Sequence, residues 1–285
     1  MTHPVALVLV VIAAVAHAGW NLCAKRVPGG GTVFVWLYGT VTATLCVPLA
    51  VVTVLMFHQT PSGTWLVAMG VTGVLHVTYF VLLQRGYAVG DLSVVYPLAR
   101  GSGPLLAVLA AVAFLGERPG VLALAGAGAV VGGILVIGGI GRGKRSAGVL
   151  YAVATGVLIA GYTLWDAYAV TTLAVPPPVL MAGSALCEFG LLSPVLLRRR
   201  GQAATLWRAH RRSVVAIAIL SPLAYLLVLF ALRQAPVSLV APVRELSIVF
   251  GSLAAWLVLG EPDPRRRLTG AVVVLAGVAA IAVRV

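Results

Sequence analysis

Charge is the scarcest property of this 285-residue sequence: Asp, Glu, Lys and Arg together make up 9% of it, against about 25% in soluble globular domains. That shortage excludes a water-soluble domain. Acid is scarcer than base, with seven Asp and Glu against 20 Lys and Arg and a net charge of +13. The basic residues sit in short runs between apolar stretches, where they read as topology signals at lipid headgroups. They do not form a nucleic-acid surface, because no polar domain carries them. Cysteine is equally sparse: Cys23, Cys46 and Cys187 each lie inside an apolar run. An odd, scattered set gives neither a disulfide framework nor metal-ligand spacing, so they read as small buried hydrophobes. No Gly-rich loop with a Lys and no His/Cys/carboxylate set at metal spacing is present, which leaves no sign of ATP hydrolysis, cofactor or metal. Nor does any hydroxyl beside a base point to an enzyme.

What is abundant is apolar length, with 61% hydrophobic residues. Windows with few charges fall at 4–23, 33–57, 64–84, 91–115, 120–140, 147–166, 177–197, 213–232, 237–259 and 268–283. A bilayer core takes about 20 apolar residues as a helix, so these windows predict ten transmembrane helices. The runs are continuous, whereas membrane barrels show short alternating segments, so the fold class is an all-α membrane protein. Glycines recur at helical spacing, as at Gly126, Gly128, Gly132 and Gly133, and small residues let helix backbones approach closely.

The chain is internally duplicated. Ala18-Gly19-Trp20-Asn21 returns 142 residues later as Ala160-Gly161-Tyr162-Thr163. Ser93-Val94-Val95-Tyr96-Pro97 returns after 145 as Ser238-Leu239-Val240-Ala241-Pro242, and Gly116-Glu117 returns after 144 as Gly260-Glu261. Residues 1–141 therefore read as one five-helix repeat, 142–146 as a basic connecting loop and 147–285 as the second repeat. Ala16-His17-Ala18 looks like a signal-peptide cleavage site, but residues 1–4 carry no Lys or Arg. The first segment also has its own repeat partner, so it is expected to stay as a helix.

Five is odd, so the second repeat must enter the membrane from the opposite side. Inverted repeats are the architecture of many secondary transporters, with the substrate site near the midplane between the halves. The other reading is a non-transporting scaffold or a lipid-binding partner subunit. The discriminator is whether polar residues of segments one, three, four and six to nine converge on one cavity.

The repeated block has three parts: a polar-aromatic first helix (His17-Ala18-Gly19-Trp20-Asn21), a fourth helix entered through Tyr96-Pro97, and a closing Gly116-Glu117. It resembles the EamA-type transporters of the drug/metabolite transporter superfamily over essentially the whole chain. That resemblance implies a ten-helix basket in the cytoplasmic membrane that moves a small metabolite, commonly outward. It names no single substrate.

Charged groups near the bilayer centre are costly and face cavities or partners. Glu188 lies about halfway along the seventh segment. It is a candidate coupling carboxylate that loads and releases a proton in each cycle, or else a protonated hydrogen-bonding group. Arg100 and the pair Arg244-Glu245 occupy matching levels of segments four and nine, just after Pro97 and Pro242. Proline removes a backbone donor, so both segments are expected to break there. Arg100 and Arg244 are candidate anion readers, Glu245 is a second coupling candidate, and an internal ion pair pinning Arg100 to Glu245 or Glu188 is the alternative.

His17, Asn21 and Lys25 form one helical stripe beside Trp20, with Lys25 read as an anchor that snorkels to the interface. Tyr162 is the second-repeat counterpart of Trp20. His76 and Tyr79 on segment three and Tyr225 on segment eight are cavity or packing residues, and Tyr96 completes the candidate binding set. Glu117 and Glu261 read as structural carboxylates near the amino end of the helix that follows each.

Orientation is the point of conflict. Fifteen of the 20 basic residues fall in the odd-numbered loops, while the even loops and termini hold Arg118, Arg233 and Arg284. Basic loops stay cytoplasmic, which puts both termini outside, whereas the family resemblance puts them inside. The five-fold excess of basic residues in the odd loops favours termini outside.

Overall fold

The computed structural model describes residues 3–25, 27, 31–89, 92–138, 146–197, 199–259 and 264–282. Ten helical segments run through them: α1 (Pro4–Lys25), α2 (Gly31–Met56), α3 (Gly63–Val89), α4 (Leu92–Phe114), α5 (Val121–Gly138), α6 (Ser146–Thr171), α7 (Pro177–Leu197), α8 (Arg200–Leu232), a ninth divided into α9 (Val237–Arg244) and α10 (Leu246–Leu259), and a tenth, α11 (Pro264–Ala282). No strand occurs among the described residues.

The helices sort their side chains by size rather than polarity. On α1, Ala6, Val10, Ala13 and Ala14 are buried while Val5, Val8, Ile12 and Val15 face outward. Exposed branched residues recur on α2 as Leu45, Leu49, Val52 and Leu55. In water such a surface would be an aggregation hazard. Against acyl chains it costs nothing, and close backbone packing of small residues supplies the association energy instead. α5 and α11 show this most tightly, because a Cβ placed on Gly126 or on Gly277 would lie 2.6 Å from the other glycine's carbonyl oxygen.

Helix pairings follow a pseudo-two-fold that exchanges the repeats. α1 packs on α8 as α3 packs on α6, and α4 packs on α6 as α1 packs on α9 and α10. The pairs α2–α7, α4–α9 and α5–α11 join each segment to its own repeat counterpart, so they straddle the axis. Because each half holds an odd number of segments, halves that span the membrane this way enter it from opposite sides and are inverted repeats.

Two boundaries differ from the sequence expectation. Residues 201–212, expected to be loop, are helical, and α8 starts at Arg200 with a kink at His210 (φ −129°, ψ 21°). Hydropathy missed this stretch because its arginines suppress the signal without preventing a helix. The expected breaks after Pro97 and Pro242 also part company. α4 runs unbroken through Pro97, while the ninth segment is interrupted at Glu245, whose N–H bonds to the Pro242 carbonyl at 3.0 Å.

Candidate functional site

A cavity of about 690 Å³ lies between the repeats, bordered by α1, α2, α3, α4, α6, α7, α8 and α9, a volume ordinary for a small-ligand site. Its lining includes His17, His76, Arg100, Tyr162, Tyr225 and Arg244, together with Trp20, Asn21, Tyr79 and Glu188. It extends to Ala24 at the end of α1, Val27 in the α1–α2 connection, Gly31 at the start of α2 and Leu83 toward the end of α3. Gly31 is exposed, so the lining reaches the surface on the side that carries most of the basic residues.

One wall is cationic. Arg100 donates from Nη2 to Nε2 of His17, which makes His17 an acceptor, and its Nη1 lies 4.0 Å from Glu245 Oε2. Arg244 Nε lies 3.5 Å from Glu245 Oε1, and its guanidinium carbon sits 5.9 Å from the centroid of the Tyr162 ring. Glu245 is fully buried behind the wall, so two guanidiniums share one carboxylate. Trp20 Nε1, Arg244 Nε and Nη2, and both carboxylate oxygens of Glu245 are buried without a hydrogen-bond partner among the described residues, so the Glu245 contacts are ion pairs only. Asn21 donates to the His17 carbonyl at 2.8 Å, and the Trp20 ring packs edge-on against His17 with centroids 4.9 Å apart.

The facing wall is aromatic and acidic. His76 packs against Tyr162 (centroids 4.4 Å) and Tyr225 (5.4 Å), and Tyr79 packs against Tyr162 (5.9 Å). His76 Nδ1 donates to the Thr72 carbonyl at 2.8 Å. Pro222, on α8, cannot donate to the Ala218 carbonyl one turn back, and Thr42 Oγ1 of the other repeat reaches that oxygen at 3.4 Å. An exposed carbonyl at a proline is thus answered across the repeat interface.

Sequence reasoning missed Asp166. It is buried, and it accepts from Thr72 Oγ1 at 2.7 Å and Tyr225 Oη at 2.8 Å, joining α3, α6 and α8. Its hydropathy window ended at residue 166, which made it resemble an interface charge, yet α6 continues to Thr171. The i, i+4 spacing from Tyr162 was the available signal, since it puts both on one helix face.

Ten of the twelve residues named from the sequence border this cavity. Glu245 stands behind it, paired to Arg100 and Arg244, and so supplies the internal pair that was the alternative for Arg100. The Tyr96 side chain lies outside the described residues, as do the Lys25 side chain, Gly260-Glu261 and the connecting segment 139–145. Glu188 borders the cavity with no ion pair or hydrogen bond among the described residues, and its electrostatic neighbours include His76, Tyr38 and Tyr225. Glu117 is structural as expected but serves another helix: it caps α9 of the second repeat, not α5.

The EamA-like transporter family matches the chain twice, over residues 4–139 and 146–283. The chain belongs to the EamA-like transporter family. Membership makes it a multi-pass membrane transporter of the drug/metabolite type with a small molecule as substrate. The family is one of transporters rather than enzymes. No curated protein matches the chain. A solved structure described only as a crystal structure of a protein is similar over 96% of this chain and 95% of its own, with a TM-score of 0.77 and 18% identity. At that identity the likeness concerns the fold alone: this EamA-like chain shares its ten-segment architecture with a protein of distant sequence.

Proposed function

We propose that this EamA-like protein is a secondary transporter, and specifically an exporter, of a small polar or amphiphilic metabolite bearing an anionic group. It works in the cytoplasmic membrane by alternating access between the two inverted repeats. The observation that carries the reading is the set of donors in the cationic wall without a hydrogen bond among the described residues, Arg244 Nε and Nη2 and Trp20 Nε1. Buried donors without partners cost free energy, and a substrate carboxylate or phosphate would accept from them in charge-assisted bonds. A scaffold would have no use for such a wall beside an open cavity.

Arg100 and Arg244 bind the anionic end, with His17, Trp20 and Asn21 beside them. His76, Tyr79, Tyr162 and Tyr225 hold the apolar or aromatic remainder, and Tyr96 joins them from α4. Glu188 or Glu245 carries the coupling proton. Because the cavity opens on the basic side, which the positive-inside rule puts in the cytoplasm, this conformation is the one that loads substrate for export.

The test is a stabilisation screen on purified protein, since a bound metabolite raises apparent stability according to its concentration over its dissociation constant. Hits concentrated among carboxylates and phosphates are expected. Hits confined to cations, or none from a broad metabolite set, contradict the proposal.

A further inference from the structure

At the end of the bundle opposite the basic loops, the carboxylate of Glu117 joins the repeats. Glu117 lies just beyond α4, where Gly116 adopts φ +68° and the Glu117 N–H returns to the Ala111 carbonyl at 3.2 Å. This is a Schellman-type helix ending, and its left-handed position favours glycine. The turn sends the Glu117 side chain out of its own repeat. Oε1 accepts from the Val237 N–H at 2.8 Å and Oε2 from the Ser238 N–H at 3.0 Å.

Those N–H groups are the first two of α9, which begins after Pro236 with no side-chain cap of its own. The opening N–H groups of a helix have no partner within it and form its positive end. A carboxylate accepting from two of them makes charge-assisted bonds. The helix that carries Pro242 and Arg244 into the site is thus capped by the other repeat.

The start of α9 packs with α1 and α4 in one buried apolar cluster that forms a plug at this end. Val10, Ala14, Ala107, Ala111, Leu239 and Val240 are each at most 1% exposed. For a path to open at this end, the start of α9 has to part from the end of α4, and that parting breaks both Glu117 bonds.

We infer that Glu117 is the tie that holds this end of the transport path shut, a positioning residue for the alternation between open states. It builds on the alternating-access reading, but its test needs no substrate. In full-length protein with the native cysteines replaced by alanine, Val240→Cys reports the plug and Ala24→Cys reports the open mouth. Each is combined with Glu117→Ala and timed against a water-soluble maleimide. Losing two charge-assisted bonds is expected to speed Val240→Cys labelling about tenfold or more, while Ala24→Cys labels no faster than in the parent. Glu117→Gln keeps one acceptor oxygen at the same size, so it gives a smaller shift of the same kind, and it decides the matter if the alanine variant does not fold. Unchanged labelling of Val240→Cys overturns the inference, and so does acceleration at both positions, which marks a generally loosened fold. Failure of substrate flux would instead contradict the transport reading and leave this labelling pattern intact.

Discussion

Arg100 and Glu245 approach to 4.0 Å, and they are counterparts: the 145-residue offset that carries Pro97 onto Pro242 also carries Arg100 onto Glu245. A residue can touch its own symmetry mate only near the axis that relates the halves. The two repeats therefore meet at the centre through opposite charges, and Arg244 adds a second cation from one side only. The duplication gives the site its frame, and divergence at this one position gives it polarity.

Removing Glu245 should be felt as lost stability. Glu245→Gln leaves two buried guanidiniums without their shared counter-charge, at an expected cost of about 3–5 kcal/mol. Arg100→Met in the same chain should recover part of it, because only Arg244 then stays uncompensated. Thermal unfolding of the three proteins in detergent checks this, and an unchanged midpoint for the single variant is the contrary result.

Arg100→Lys keeps the charge but loses the planar fork that serves His17, Glu245 and a ligand at once. Anionic ligands should bind about tenfold more weakly and neutral ones unchanged, as read by equilibrium titration. Equal affinity for an anion in both proteins would remove Arg100 from anion recognition.

Packing of α5 on α11 is predicted to fail at Gly126 rather than at Gly128. A Cβ on Gly126 meets the Gly277 carbonyl at 2.6 Å, whereas one on Gly128 meets nothing within 4 Å. Gly126→Ala should cost about 1–3 kcal/mol and Gly128→Ala close to nothing. Similar midpoints for the two variants would contradict this.

Much of the architecture was legible in advance because lipid imposes a length and a hydropathy that sequence displays directly. The ten windows became ten segments, and the repeat offsets identified which helices are symmetry mates. What stayed hidden depended on tertiary partners or on charge. The Asp166 window stopped five residues before α6 does. Arg200 to Arg212 looked like loop because hydropathy does not register a basic helix. Glu117 was placed at a helix start, but only the fold determines that this start is α9's. Pro97 and Pro242 stand at equivalent positions, yet the interruption comes only in the ninth segment, at Glu245, and sequence alone does not distinguish the two.

The basic loops are expected to set the membrane orientation. With the native cysteines replaced, Gln202→Cys places an exposed thiol in the first turns of α8, on the side expected to be cytoplasmic. It should resist an impermeant maleimide in intact cells and react once the cells are opened. Ready labelling in intact cells would reverse the orientation.

Flux in proteoliposomes measures whether substrate crosses the membrane through the cavity. Vesicles carrying the parent protein should accumulate a labelled anionic ligand found by the stabilisation screen, with uptake responding to an imposed pH gradient. Glu188→Gln keeps the size of the side chain and removes its titration, so it should bind the ligand normally and lose the pH-driven component. Normal pH-driven flux in that variant would pass the coupling role to Glu245. Binding of ligands by the parent with no flux of any of them would contradict transport through the cavity.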